Sequence, residues 1–129
     1  MEQKRRKKKR KQYRKGQILI VDFGARPQGV EGFLRPAIVV SCDASNHPGG
    51  PQITVCPLSS RLKPKIKVHV AIEPDCVIGK PLRRKSEVLP EDIQTVSKKA
   101  VKGYIGYIPN DSELMARIDD AISQQLALH

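Results

Sequence analysis

Two hydrophobic periods divide this chain at Asn110. Between Gln17 and Phe23, Leu19, Val21 and Phe23 alternate with Ile18, Ile20 and Asp22, the two-residue period of a first strand. Ala37-Ile38-Val39-Val40 is then a continuous, largely β-branched run. It predicts a strand buried on both faces, with Pro36 at its first position and Arg35 where a loop feeds it. Ile53 to Leu58 predicts the next strand, closed by Ser59-Ser60-Arg61. From Lys67 to Ile72 alternation returns, with Val68, Val70 and Ile72 on one side and Lys67, His69 and Ala71 on the other. His69 therefore reads as a surface residue of a half-exposed strand. Glu87-Val88-Leu89, Ile93 to Val96 and Gly103 to Ile108 add strand material, with a basic turn from Ser97 to Lys102.

Beyond Asn110 the spacing becomes helical. Leu114, Ile118, Ala121, Ile122 and Leu126 share one face, and Asn110 with Glu113 makes a start resembling a capping box. The pattern predicts a C-terminal helix of about four turns packed on the sheet. Strands followed by a single helix, without βαβ alternation, predict a mainly β (α+β) domain: a small antiparallel β-barrel with a C-terminal α-helix, not a doubly wound sheet. Two loops interrupt it. Gly24 to Leu34 holds three glycines and a proline, and Glu73 to Lys85 holds two prolines and the cluster Arg83-Arg84-Lys85, a candidate phosphate contact. Loops of this length often cover sites.

Composition narrows the partners. The 129 residues suit one domain, and 39% hydrophobic content is enough for a core. Two Phe, three Tyr and no Trp leave few platforms for base stacking. Cys42, Cys56 and Cys76 form an odd set without a Cys-x-x-Cys spacing, so a reduced, cytoplasmic setting with no metal and no other cofactor is expected. No apolar run reaches the ~18 residues of a membrane span, and the basic N-terminus lacks the apolar segment of a secretory signal. The net charge of +11 is uneven: residues 1–15 carry ten Lys or Arg against Glu2 alone, which leaves fourteen basic and twelve acidic side chains for the rest. The chain thus divides into a basic arm over 1–15, expected to be disordered in isolation, and a folded domain over 16–129. The arm reads either as a salt-sensitive attractor of RNA phosphates or as a solubilising tail.

The candidate chemistry centres on Arg35. A guanidinium keeps its charge at any working pH and presents a rigid fork to phosphate oxygens, although a lone arginine, taken by itself, reads better as half of a structural salt bridge or as a solvated loop end. In order, Gly16, Val21-Asp22-Phe23, Arg35-Pro36-Ala37-Ile38-Val39-Val40-Ser41, Asp43, Asn46, Ser59-Ser60-Arg61-Leu62 and Ile93-Gln94-Thr95-Val96 resemble the MazF/PemK toxin family of bacterial toxin–antitoxin pairs. The resemblance runs over residues 14 to 128.

What the resemblance implies is an SH3-like barrel that forms a homodimer, cuts single-stranded RNA without a metal and is neutralised by an antitoxin protein. The family's active arginine falls on Arg35 and its active hydroxyl on Ser59. Attack of the RNA's own 2′-oxygen on phosphorus also needs a proton acceptor, a role for which neither residue is suited. The family's loop glutamate falls on Val30, with Glu31 one residue later; Glu31 reads as a displaced acid or as a solvated loop charge. Glu91 matches an acid assigned as the base in PemK-like members, and otherwise reads as an exposed strand-end charge. Gln94 stands where relatives carry an arginine. Ser60, Arg61, Arg83, Arg84, Lys85 and Gln94 complete the expected RNA contacts. The alternative is a weakened or inactive relative that only holds RNA.

Overall fold

The computed structural model describes residues 12–24 and 33–128; most of the glycine-rich loop, Glu31 included, and the first eleven residues of the basic arm lie outside them. The described strands are β1 (Gln17–Asp22), β2 (Leu34–Val39), β3 (Gln52–Ser59), β4 (Val70–Ile72), β5 (Ile78–Gly79), β6 (Ser86–Val88), β7 (Gln94–Ser97) and β8 (Val101–Tyr107). Helix α1 (Glu113–Gln125) follows them. All pairings are antiparallel, in the order β4-β6-β3-β2-β1-β8-β5, with β7 also on β3. The result is an antiparallel half-barrel carrying one C-terminal helix.

Strand β3 is long enough to serve two partners along one edge. Gln52–Val55 pairs with β7, and Leu58–Ser59 pairs with β6. Two register shifts between β1 and β8, at Ile18/Leu19 and Ile20/Val21, add the local twist that lets a sheet of this width curl. Burial on both faces of β2 follows the continuous apolar run: Ile38 joins a cluster with Ile18, Cys56, Leu58, Ile72, Ile108 and the α1 residues Met115 and Ile118, whereas Ala37 and Val39 join Leu19, Val21, Ile53 and Val55. At Gly16, φ is +96° and a side chain would collide with the carbonyl of Ile108. Its N–H donates to Val39 and its own carbonyl accepts from Ile108, so the arm joins the barrel at a position only glycine fits.

Three boundaries differ from the sequence reading. Pro36 is the third residue of β2, not the first; the ladder to β3 begins only at Ala37, so the missing N–H removes no bond to that strand. Strand β4 starts at Val70, and His69 lies before it. The helix is capped by Ser112, whose Oγ accepts from the Met115 N–H at 3.1 Å, and not by Asn110. Ser112→Ala is accordingly expected to cost about 1 kcal/mol and Asn110→Ala to be nearly neutral; urea midpoints of the two variants check this.

Candidate active site

Strand β2 delivers Arg35 to the wall of a cleft of about 880 Å³. One guanidinium nitrogen, Nη2, donates to the Leu58 carbonyl at 2.9 Å. The guanidinium carbon also lies 5.2 Å from the centre of the Phe33 ring, within cation–π range. Phe33 in turn leans on Phe23, with ring centres 6.2 Å apart. The head group is thus held from two directions, and the carbonyl that holds it belongs to the residue just before Ser59.

Ser59 ends β3, and its Oγ accepts from the Arg61 N–H at 3.1 Å. This closes the tight turn that carries Ser60 and Arg61 along the cleft. Across the ladder Ser59 faces Glu87 on β6, and Glu87 faces Ala71 on β4. Residues directly opposite in antiparallel strands share a face, so this row points a carboxylate beneath the floor of the cleft. There the Glu87 side chain is only 7% exposed. It accepts from the Lys63 N–H at 2.8 Å, and the same oxygen lies 3.0 Å from His69 Nδ1.

His69 corrects the surface reading. Its side chain is 3% exposed, and its second ring nitrogen, Nε2, lies 2.6 Å from Glu91 Oε2. The imidazole therefore bridges a buried carboxylate and one that is 35% exposed on the cleft wall. Burial lowers its proton affinity, but the hydrogen bonds and charges of Glu91 and Glu87 outweigh that cost, and the net result is a pKa above the ordinary histidine value. Glu91 is fixed by the short 3₁₀ turn Pro90–Asp92 that follows β6.

The cleft gathers most of the side chains singled out in the sequence. Arg35, Ser59, Ser60, Arg61, Arg83, Arg84 and Glu91 line it, joined by His69, Lys63, Lys80 and Asp92. Two do not join them: Lys85 turns to Glu73 at 3.2 Å, and the Gln94 amide donates to the Asp92 carbonyl at 3.2 Å. Glu31 lies outside the described residues. Six cations against Glu91 and Asp92 make the lining strongly attractive to a polyanion. Cys56, behind the wall, is pushed up to about 12 by burial and by the charges of Asp92 and Glu91, which keeps it a thiol rather than a nucleophile. Among the described residues no group of three or more His, Cys, Asp or Glu side chains could hold a metal ion, and no helix is long and apolar enough to cross a membrane.

A curled antiparallel sheet with one helix, and a basic cleft holding an arginine, a hydroxyl and a histidine–carboxylate cluster, define a class of small β proteins with a cationic cleft. The profile of the PemK-like, MazF-like toxins of type II toxin–antitoxin systems matches residues 14–126, and the chain belongs to this family. Endoribonuclease EndoA of Bacillus subtilis (strain 168) is 27% identical over 116 residues, spanning 89% of this chain and 95% of that protein. Among solved structures, an endoribonuclease from a mycobacterial species superposes with a TM-score of 0.70 at 21% identity, covering 92% of this chain and 94% of that one. The MazE–MazF complex of Deinococcus radiodurans (form II) gives a TM-score of 0.70 at 19% identity, covering 92% and 99%. A mycobacterial endoribonuclease bound to its cognate antitoxin gives 0.65 at 22%, covering 90% and 94%.

Proposed function

We propose that this protein is an endoribonuclease toxin that cuts single-stranded RNA by internal attack of a 2′-oxygen on the adjacent phosphorus, without a metal. The observation that carries the reading is the position of Arg35, pinned by the Leu58 carbonyl and the Phe33 ring in a cleft that also holds Ser59 and Glu91. In the attack the 2′-O–P bond forms and the P–O5′ bond breaks. Negative charge accumulates on the non-bridging oxygens of the phosphorane, where a fixed guanidinium stabilises it more than it stabilises the ground-state diester. On this reading Ser59 donates a hydrogen bond to a phosphate oxygen and Glu91 accepts the 2′-proton. Arg61, Lys63, Lys80, Arg83 and Arg84 hold the backbone on either side, contacts that bring affinity and salt dependence but little sequence preference.

A protein antitoxin is the natural inhibitor on this reading, supported by the family and by the two relatives whose structures contain one. An antitoxin segment with acidic side chains fits the same cations. A homodimer is supported by Ile78, Tyr104 and Tyr107, which stand exposed at the β5–β8 edge; sedimentation as a single 14.4 kDa chain would remove it from the reading. The central test incubates the purified protein with a long single-stranded transcript in EDTA. Fragments ending in 2′,3′-cyclic phosphate and 5′-hydroxyl are expected, and intact RNA at every salt concentration overturns the proposal. Retention of RNA without cleavage would identify a binding module in its place.

A further inference from the structure

We propose that Glu87, His69 and Glu91 form a proton relay in which His69, a positioning residue buried behind Glu91, stores the proton removed from the RNA 2′-hydroxyl. The inference rests on the endoribonuclease reading and deepens it. Its basis is the chain of contacts from Glu87 Oε1 to Nδ1 at 3.0 Å and from Nε2 to Glu91 Oε2 at 2.6 Å. A carboxylate that has lost its proton only accepts, so Glu87, further fixed by the Lys63 N–H, requires the imidazole to carry its proton at Nδ1. The neutral ring then turns a lone pair at Nε2 towards Glu91. Two acceptors 2.6 Å apart repel one another and bind a shared proton tightly, which holds the imidazole pKa above its ordinary value.

The roles divide by exposure. The His69 side chain is 3% exposed where that of Glu91 is 35% exposed on the cleft wall, so Glu91 meets the substrate and the imidazole acts through it. As the 2′-O–P bond forms, the 2′-proton passes to the Glu91 carboxylate and onward to Nε2. The P–O5′ bond breaks, and the 5′-oxygen takes a proton from water in the cleft. When the product leaves, the imidazolium returns its proton to solvent through Glu91. The protons balance, and no oxidant, metal or covalent enzyme intermediate is needed.

The sign of the pH dependence follows. While His69 is protonated, Glu91 is already paired with an imidazolium and is a poor base. Activity therefore rises with pH as the pair loses this proton. Glu91 on the turn after β6 and Glu87 on β6, whose carboxylates touch the ring, push that transition upwards, and Asp92 stands on the same turn as Glu91. Burial pushes it downwards, and the cations that share the cleft, Arg35 on β2, Arg61 and Lys63 after β3, and Lys80, Arg83 and Arg84 before β6, act in the same direction. The carboxylates that touch the ring prevail, and the transition lies above the ordinary histidine value.

The test measures cleavage of a long single-stranded transcript from pH 5 to 9, with the His69 ring titration followed by NMR in the same protein. The wild type is expected to show a rising limb that coincides with the imidazole titration. His69→Gln should remove the limb and lower kcat on the order of 10²-fold at alkaline pH, the lower end for loss of a positioned base, with KM for RNA nearly unchanged. Glu87→Gln retains the shape and the hydrogen bonding of the site but not the charge, and should move the limb to lower pH, which a purely structural role would not do. If His69→Gln unfolds, the Glu87→Gln profile and the ring titration decide alone. A limb that is unmoved in Glu87→Gln, or that survives in a folded His69→Gln, overturns the relay while leaving the nuclease reading intact. A wild type that cuts RNA at no pH overturns both.

Discussion

Arg35→Ala is expected to lower kcat for RNA cleavage by about 10²–10³-fold, equivalent to roughly 2.7–4 kcal/mol of transition-state stabilisation, the effect of removing one preorganised donor from a site of developing charge. The size follows from how the guanidinium is held. Nη2 is fixed on the Leu58 carbonyl and the head group stands over Phe33, so little reorganisation is needed when the phosphorane forms. Arg35→Lys keeps the charge but not the planar fork, and cannot reach the carbonyl, the ring face and a phosphate with the same geometry. It is expected to recover only a minor part of the rate. Removing Arg35 also leaves the Leu58 carbonyl without this donor, at a cost to folding of about 1–3 kcal/mol if no water replaces it. Thermal melting of both variants separates that loss from the catalytic one. Cleavage by a folded Arg35→Ala within a few-fold of wild type would exclude Arg35 from the chemistry.

The readability of this site from sequence followed the range of the interactions that build it. Ala37-Ile38-Val39 declared a doubly buried strand because each residue's burial is dictated by an unbroken apolar run, and the two clusters that divide these three residues are what such a run requires. Arg35 stood out at the edge of that run, and Ser59 through the family resemblance. His69 did not, and the reason is local: the alternation of Val68, Val70 and Ile72 assigns the intervening residues to a polar face, and a polar face usually meets water. What buries His69 is a register 18 residues away in sequence. Ala71 pairs with Glu87 and Glu87 with Ser59, and no local period announces that row. Three residues of one sign in sequence similarly suggested one cationic patch, yet Arg83 and Arg84 line the cleft and Lys85 turns to Glu73. The helix cap moved from Asn110 to Ser112 for a comparable reason. Both residue types cap well, and the choice was decided by where the chain leaving β8 first turns: the Ser112 N–H donates to the Pro109 carbonyl at 3.1 Å, and the Oγ of the same residue caps Met115, three residues on.

Glu91→Gln should have the other large effect, a loss of about 10²–10⁴-fold in kcat, because the amide preserves the volume of the side chain but cannot accept the 2′-proton. Its effect on binding should run in the opposite direction. Glu91 is one of two acids among the six cations of the cleft lining, and removing its charge relieves repulsion against the RNA backbone, so KM is expected to fall or stay constant as kcat drops. A residue that merely braced the cleft would weaken both together. The pair variant sharpens the distinction. In the proposed relay Glu91 passes its proton to His69 across a contact of 2.6 Å, so either single substitution disables it, and the double variant Glu91→Gln, His69→Gln should be scarcely slower than Glu91→Gln alone. Residues that act as one unit are non-additive in this way, whereas independent contributions would multiply. A double variant slower than Glu91→Gln by the full factor seen in His69→Gln alone would mean that the histidine and the carboxylate work separately.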